Sequence, residues 1–573
     1  MATGRERPGR ASTSIDHKHP ETPRPNELAG TARLDSAHPV SPGSMMPLLD
    51  APSRSRLVRF LVASAVALPL LRADSDSPPA IGPTRADVLA TMQRATRFMV
   101  DEVSCEGGYV WSYLPDFSRR WGELEARPSM IWIQGPGTPE MGRCFLEAWK
   151  VTGEAMYHEA ARRAAGALIR SQLACGGWNY VADFAGEESL RAWYATVGRN
   201  AWRLEEFQHY FGNATFDDST TVSAARFLLR LHLARPDPEV KAALDRAIAF
   251  VLTSQHTSGA WPQRFPPADE SDASDAARYS SYLTFNDDVT SANIEFLLEC
   301  HRALGDSRLL DPIRRGMDAF VLLQQPAPQA GWALQYTPDD LQPAGARSYE
   351  PRAIVTHTTA SNVEQLLHFH ALTGDPKYLA RIPEALAWLD SCRLPAGAVA
   401  RGTHPTFIEV GTGRPLYLHR EGSNVVNGRY FVDSTPGHPV GHYSSYRTID
   451  VDRLRERYEA ARLQPPRGPA ASLFLNDDPA GADDTATAAQ VARILAHLDD
   501  KGRWLTPLRT TSHAYRGDGS IELPSGDFSG TFVGDDTDTS PFTADEPTSG
   551  ISTRTYLRNM AVLIAWLREQ DSR

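Results

Sequence analysis

A helical hairpin that ends in Gly-Trp or Ala-Trp and keeps returning is the feature that most restricts what this chain can fold into. Residues 144–180 run through one helical stretch (CFLEAWKVTG), a second (YHEAARRAAGALIRSQL) and GGWNY. Residues 226–265 repeat the scheme with RFLLRLH, EVKAALDRAIAFVLTSQ and GAWPQRF, and 296–336 with FLLECHRALGD, IRRGMDAFVLLQQ and GWALQY. A fourth unit begins over 363–389. A single hairpin cannot bury its own apolar face, so units of this kind stack on one another or close into a ring. Trp178, Trp261 and Trp332 are unevenly spaced, with long, variable insertions after each. That suits a toroid whose loops emerge on one rim better than a short-period solenoid. The expected fold is mainly α, an (α/α) toroid-like array of helical hairpins. A smaller strand-containing portion is read from 398–447, where alternating residues flank Gly-Thr-Gly as in a hairpin.

A second repeat lies inside the first. Thr215–His232 (TFDDSTTVSAARFLLRLH) aligns without a gap to Thr284–His301 (TFNDDVTSANIEFLLECH). Asp217/Asp218 and Asp287/Asp288 therefore each precede an amphipathic helix. One reading is helix capping, since an Asp oxygen satisfies the free N–H groups of a first turn. One cap needs only one acid, however, and adjacent carboxylates repel. A divalent cation relieves that repulsion, and hard oxygen donors suit calcium. The third unit has Val355 and Thr356 at this place, so only two helix starts can serve a metal. His232, His301 and His370 recur at one repeat position on an apolar face and read as structural register.

The remaining composition sets limits. The net charge of −11 argues against a broad nucleic-acid surface, which requires clustered Lys and Arg. Five scattered cysteines show no zinc spacing and leave one disulfide open. Residues 1–50 are rich in Pro, Ser, Thr and Arg without apolar periodicity and read as a disordered or mis-assigned extension. Over 51–73, arginines, the apolar run Phe60–Leu71 and Ala73 follow the pattern of a signal peptide, and the run is too short to span a bilayer. A secreted or periplasmic protein is expected, with no membrane association after cleavage. The catalytic domain is assigned to 84–463, a linker to 464–490, and C-terminal helical elements packing on the catalytic domain to 491–573. At the start of the domain, Val88, Met92, Ala95, Met99 and Val103 form one apolar stripe with Thr84 as its cap. The aromatic, Gly/Pro-punctuated stretch 107–142 reads as short strands and loops.

GAWPQRFP, TFNDD, ARSYEP and GRPLYLHREG occur in this order over roughly residues 90–450. In combination they resemble the family 10 polysaccharide lyases, the pectic acid (pectate) lyases. The resemblance implies a toroid-like helical domain plus a smaller strand-containing portion, with a cleft that binds polygalacturonate and calcium. Carried over by position, Asp287 matches the calcium-binding aspartate and Asp217 an aspartate close to the substrate, with Asp218 where the family usually has Asn. Arg420 matches the arginine acting as Brønsted base, and Arg347 a substrate-binding arginine. Arg264, Arg414, Trp261 and Tyr349 are the further candidates for binding an anionic sugar, the arginines by forking onto carboxylates and the rings by stacking. Asp217, Asp218 and Asp287 together are the candidate metal ligands. Thr406 stands where the family usually carries arginine.

The expected activity is calcium-dependent β-elimination of α-1,4-polygalacturonate by a monomer. The residues leave two other classes open. One is a toroid glycoside hydrolase using paired carboxylates, and the other is a non-catalytic pectin-binding protein.

Overall fold

The computed structural model describes residues 82–198, 205–267, 279–397, 402–421, 429–436, 445–463, 486–508 and 548–571. The N-terminal extension, the signal segment and nearly all of the 464–490 linker lie outside them. The described residues fall in one compact unit.

Helices α1 (Arg85–Phe98), α2 (Thr138–Thr152), α3 (Ala155–Ser171), α4 (Thr220–Ala234), α5 (Pro238–Ser254) and α6 (Val289–Leu304) run through the first half. Then come α7 (Leu310–Leu322), α8 (Thr356–Thr373), α9 (Ile382–Ser391), α10 (Val451–Arg462), α11 (Ala488–Ala496) and α12 (Thr553–Asp571). The even-numbered helices neighbour one another, α12 beside α2, α2 beside α4, α4 beside α6 and α8 beside α10. The odd-numbered ones back them. α12 also lies against α1 and α11, so the two ends of the chain meet and the array closes as an (α/α) toroid. The α1 start matches expectation, since Thr84 and Asp87 form a reciprocal capping box over the buried stripe Val88, Met92 and Ala95.

Each turn of the ring is built by the same three contacts. The indole N–H of Trp178, Trp261 and Trp332 donates to the carbonyl of Leu168, Val251 and Phe320 respectively, in each case at 2.8 Å. The backbone N–H of the same tryptophan donates to a Thr hydroxyl in the first turn of the next even helix, Thr221, Thr290 or Thr359. The glycine before it lets two helices approach. A Cβ on Gly259, whose φ is +94°, would lie 1.9 Å from the Arg315 carbonyl. Trp504 repeats the indole contact with Ile494 at 3.0 Å, and Tyr109 repeats the threonine contact with Thr138. These are two further copies that the Gly-Trp pattern did not show. Gly502 leans on the Arg94 carbonyl of α1, which closes the circle.

The tryptophans are fully buried in one continuous core. Truncating any one of them removes roughly 3–5 kcal/mol of packing. His301 and His370 donate from Nδ1 to the carbonyls of Asp306 and Asp375 at 2.8 and 3.1 Å, tying α6 and α8 to their hairpin turns, whereas Nδ1 of His232 in α4 is buried without such a bond.

Short strands stitch the units together on the rim. Thr215 pairs with Arg264 and Thr284 with Gln335, so each acidic helix start is held to the segment after the next tryptophan. The 398–447 hairpin is present as Phe407–Glu409 against Pro415–Glu421, inside a four-stranded sheet with Ala353–Val355 and Arg429–Asp433. Strands from 112–126 join Thr548–Ser552 and Leu505–Leu508 in a five-stranded sheet that links the chain ends. All five cysteines are free thiols. Among the described residues no helix is long and apolar enough to cross a membrane.

Candidate active site

The two acidic helix starts do not cap their helices. Neither α4 nor α6 has a side-chain capping bond at its N-terminus. Instead the chain makes a kink of two consecutive left-handed residues, Asp218 (φ +47°) and Ser219 (φ +57°) in one unit, Asp287 (φ +48°) and Asp288 (φ +56°) in the other. Left-handed backbone costs a non-glycine residue of order 1 kcal/mol, and Asp is among the side chains that tolerate it best. The kink turns the carboxylates away from the helix N–H groups and toward the centre of the rim. It also fixes the equivalence of the repeats: Asp218 corresponds to Asp287, and Asp217 to Asn286.

Asp217, Asp218 and Asp287 converge on Arg347. The Arg347 guanidinium is 4% exposed and lies 3.3 Å from Glu206, 3.6 Å from Asp217, 3.9 Å from Asp287 and 2.9 Å from Glu350. Glu206 comes from the short helix Glu205–Gln208, which also docks the loop through Glu205 and Ser348. Tyr349 is fully buried and donates to Glu206 at 3.1 Å. Gln134 bridges the cluster to the N-terminal excursion, its Nε2 donating to Asp218 Oδ2 at 2.6 Å and to Glu123 Oε2 at 2.8 Å. Four carboxyl groups thus share one arginine, and Gln134 ties Asp218 and Glu123 to them.

Their electrostatics differ by position. Burial pushes the Asp217 carboxyl up, but Arg347, the Asp287 carboxyl and the Tyr180 hydroxyl outweigh it and hold Asp217 below the usual range. Asp287 is driven well above its ordinary value by burial and by Asp217 and Asp218. Burial and the Asp217 charge push Asp218 up to about 7. Glu123 rises to about 8, through burial first and then Glu206 and Asp218. Asp287 stands at the mouth of the cluster with a third of its side chain in solvent. Asp217 Oδ1 is buried without a hydrogen-bond partner. Among the described residues no three carboxylates, imidazoles or thiols are already drawn together as a coordination sphere.

Of the other sugar-binding candidates, three are buried in the wall and one is paired on an exposed turn. Trp261 and Tyr349 are wholly enclosed and offer no ring face to a sugar. Arg264 is 1% exposed and points into the wall, with Nη1 on Asn179 and Asn213. Arg414 sits on the Gly411–Gly413 turn in an exposed ion pair with Glu409 at 2.8 Å, a contact of the turn itself. Arg420 occupies the strand Pro415–Glu421 opposite Tyr430, and its side chain lies outside the described residues. Thr406 is fully buried, its backbone joining Thr356 and Ser445. Glu206, Glu123, Gln134 and Tyr180 are the site residues that sequence reading missed. Nothing in their local pattern marks them, although Tyr180 lies two residues beyond the first repeat tryptophan.

Residues 183–428 match the sequence profile of the pectic acid lyase family. No curated protein matches the chain. Among solved structures, the chain is similar to an aspartate-to-alanine mutant of the family 10 polysaccharide lyase from Cellvibrio cellulosa in complex with trigalacturonic acid. The identity is 16%, the alignment covers 48% of this chain and 86% of that one, and the TM-score is 0.32. An α-1,6-mannanase from Salegentibacter aligns over 84% of this chain and 98% of its own at 10% identity and a TM-score of 0.32. A D-mannose isomerase aligns over 58% and 76% at 14% identity and 0.35. At these scores none of the three bears on activity. Residues 183–428, the segment that matches the pectic acid lyase family, carry Glu206, Asp217, Asp218, Asp287 and Arg347.

Proposed function

We propose that this chain is an exported, calcium-dependent pectate lyase that cleaves α-1,4-polygalacturonate to 4,5-unsaturated oligogalacturonides. The observation that carries the reading is the convergence of Asp217, Asp218 and Asp287 with Arg347 on the toroid rim, within the segment that matches the family. In the elimination a base removes the proton on C5, C4=C5 forms, and the C4–O bond breaks with its electrons leaving on the oxygen, which then takes a proton. The C5 proton is weakly acidic because of the neighbouring carboxylate, so charge developing on that carboxylate must be neutralised.

The donor chemistry fits calcium. The site's acidic donors are all oxygen, its carboxyl groups outnumber its one arginine, and Asp217 Oδ1 is left buried and unbonded. Asp217, Asp287 and Asp218 would hold the ion, which when bound supplies Lewis-acid neutralisation of the uronate carboxylate. Arg347 orients the carboxylates around it and adds positive charge at the same wall. Arg420 is the proposed base, on the family resemblance. Export is proposed from the basic-then-apolar segment over 51–73.

A second reading has one observation in its favour. Asp217 held low beside Asp218 raised to about 7 is the split that a glycosidase acid and base would need. Turnover of polygalacturonate separates the two. The lyase produces new ultraviolet absorbance from the unsaturated ends, lost with chelator and in Arg420→Ala, whereas a hydrolase produces reducing ends without it. Binding to pectin with neither product would make the chain a non-catalytic binder.

A further inference from the structure

Arg264 is an unusual charge to bury. It is 1% exposed, and among the described residues it has no carboxylate within ion-pairing distance. Its polar contacts are neutral: Nη1 donates to Asn179 Oδ1 at 3.2 Å and to Asn213 Oδ1 at 3.3 Å, and Nη2 has no partner. Both amides are themselves fixed, Asn179 by donating to the Tyr194 hydroxyl and Asn213 by donating to the Pro266 carbonyl. The guanidinium lies between two aromatic rings, 4.9 Å from the centre of Tyr180 and 4.6 Å from that of Phe211. A buried cation held by neutral groups needs a compensating role, and the ring it stacks on supplies one. The Tyr180 hydroxyl donates to Asp217 Oδ2 at 2.5 Å. That bond engages one carboxylate oxygen and leaves Oδ1 as the unbonded one.

We propose that Arg264 and Tyr180 act in series as positioning residues. The arginine clamps the tyrosine ring, and the tyrosine hydroxyl holds Asp217 by Oδ2 so that Oδ1 stays available to a cation. The inference rests on the reading of Asp217 as a ligand for calcium and assigns the groups behind it. Such outer contacts orient a ligand oxygen before the metal arrives, and their loss weakens metal affinity by about 10–100-fold. Backbone pairing supports the same chain of contacts, since Arg264 lies opposite Thr215, two residues before Asp217.

The test is calorimetric titration of chelator-treated protein with calcium, in wild type, Tyr180→Phe, Arg264→Met and the double variant, with thermal melts of each. Tyr180→Phe and Arg264→Met are each expected to weaken calcium binding by about tenfold or more. The double variant is expected to be no weaker than Tyr180→Phe alone, because both changes break one path. A merely structural arginine would lower the melting temperature and add its effect to that of Tyr180→Phe, and that additivity would overturn the proposal. So would wild-type affinity in Tyr180→Phe. Arg264→Lys keeps the charge but loses the planar stacking; it covers the case in which Arg264→Met does not fold and should weaken binding in the same way. Wild type that turns over polygalacturonate with calcium while Tyr180→Phe binds the ion normally removes this inference alone. Wild type that does neither removes the functional reading with it.

Discussion

Asp218 and Asp287 occupy the same position in successive units of the ring, with φ of +47° and +48° and ψ of +31° and +33°. Two acids are thereby held in one strained conformation, and both face Asp217 and Arg347. Strain and like-charge repulsion at one place mark a site shaped for something other than stability. Replacing Asp287 by Asn keeps a side chain that tolerates left-handed backbone and removes one negative charge. In chelator, Asp287→Asn should melt at or above the wild-type temperature, and it should lose the rise that calcium gives the wild type. Melts with and without the ion read both effects, and polygalacturonate turnover should fall by at least about 100-fold, the upper figure for losing a group that only orients a metal ligand.

Arg347 is the counterweight in this cluster. Removing one partner of a buried ion pair costs about 3–5 kcal/mol because the other charges stay behind, and here Glu206, Glu350 and Asp217 would all remain. Arg347→Ala should therefore unfold at markedly lower denaturant concentration. Without the arginine the carboxyls rise further, so part of the loss should be recovered on acidification from pH 8 to pH 5. Denaturant titrations at the two pH values check this.

Glu123 gives the pH dependence a sign. Its folded-state carboxyl titrates near 8, above the ordinary carboxylate range, because of burial and then the charges of Glu206 and Asp218. Between its unfolded and folded values the native state holds the extra proton, so stability is full below the unfolded value and declines as pH rises toward 8. Metal-free wild type should accordingly lose stability from pH 5 to pH 8. Glu123→Gln should flatten part of that slope and raise the melting temperature by a few degrees at pH 8. A parallel slope in the variant would show that Glu123 is already ionised.

Gly259 tests the ring itself. Any side chain there meets the Arg315 carbonyl at 1.9 Å and must also adopt φ of +94°. Gly259→Ala should cost more than the roughly 1 kcal/mol of ordinary left-handed strain, because backbone has to move, and the packing of the Gly259 turn against α7 should open. Hydrogen exchange at Trp261 and Thr290, which share the adjoining clamp, would show the opening locally.

The hairpin units, the tryptophan that ends each one and the duplicated acidic helix start were all legible in the sequence. Each is carried by local periodicity or by a residue type that recurs at a fixed place. His301 and His370 likewise held their predicted register role, because a ring that bonds a carbonyl five residues on is a local matter. The acids themselves were visible, but not what they do. Capping was a sound local reading for Asp217 and Asp218, and the left-handed kink that defeats it comes directly after the residues that the Thr215–Arg264 and Thr284–Gln335 pairs anchor to the rim.

Tertiary structure alone decided the rest. It drew Glu123 and Gln134, far upstream, to within reach of Asp218. It also sent Arg264, from a motif that suggests substrate contact, behind the wall onto Tyr180. Local sequence specifies a helix, a turn or a pair of acids, because neighbours in the chain set those. The sign and surroundings of a buried charge depend on which distant segments the closed ring brings beside it.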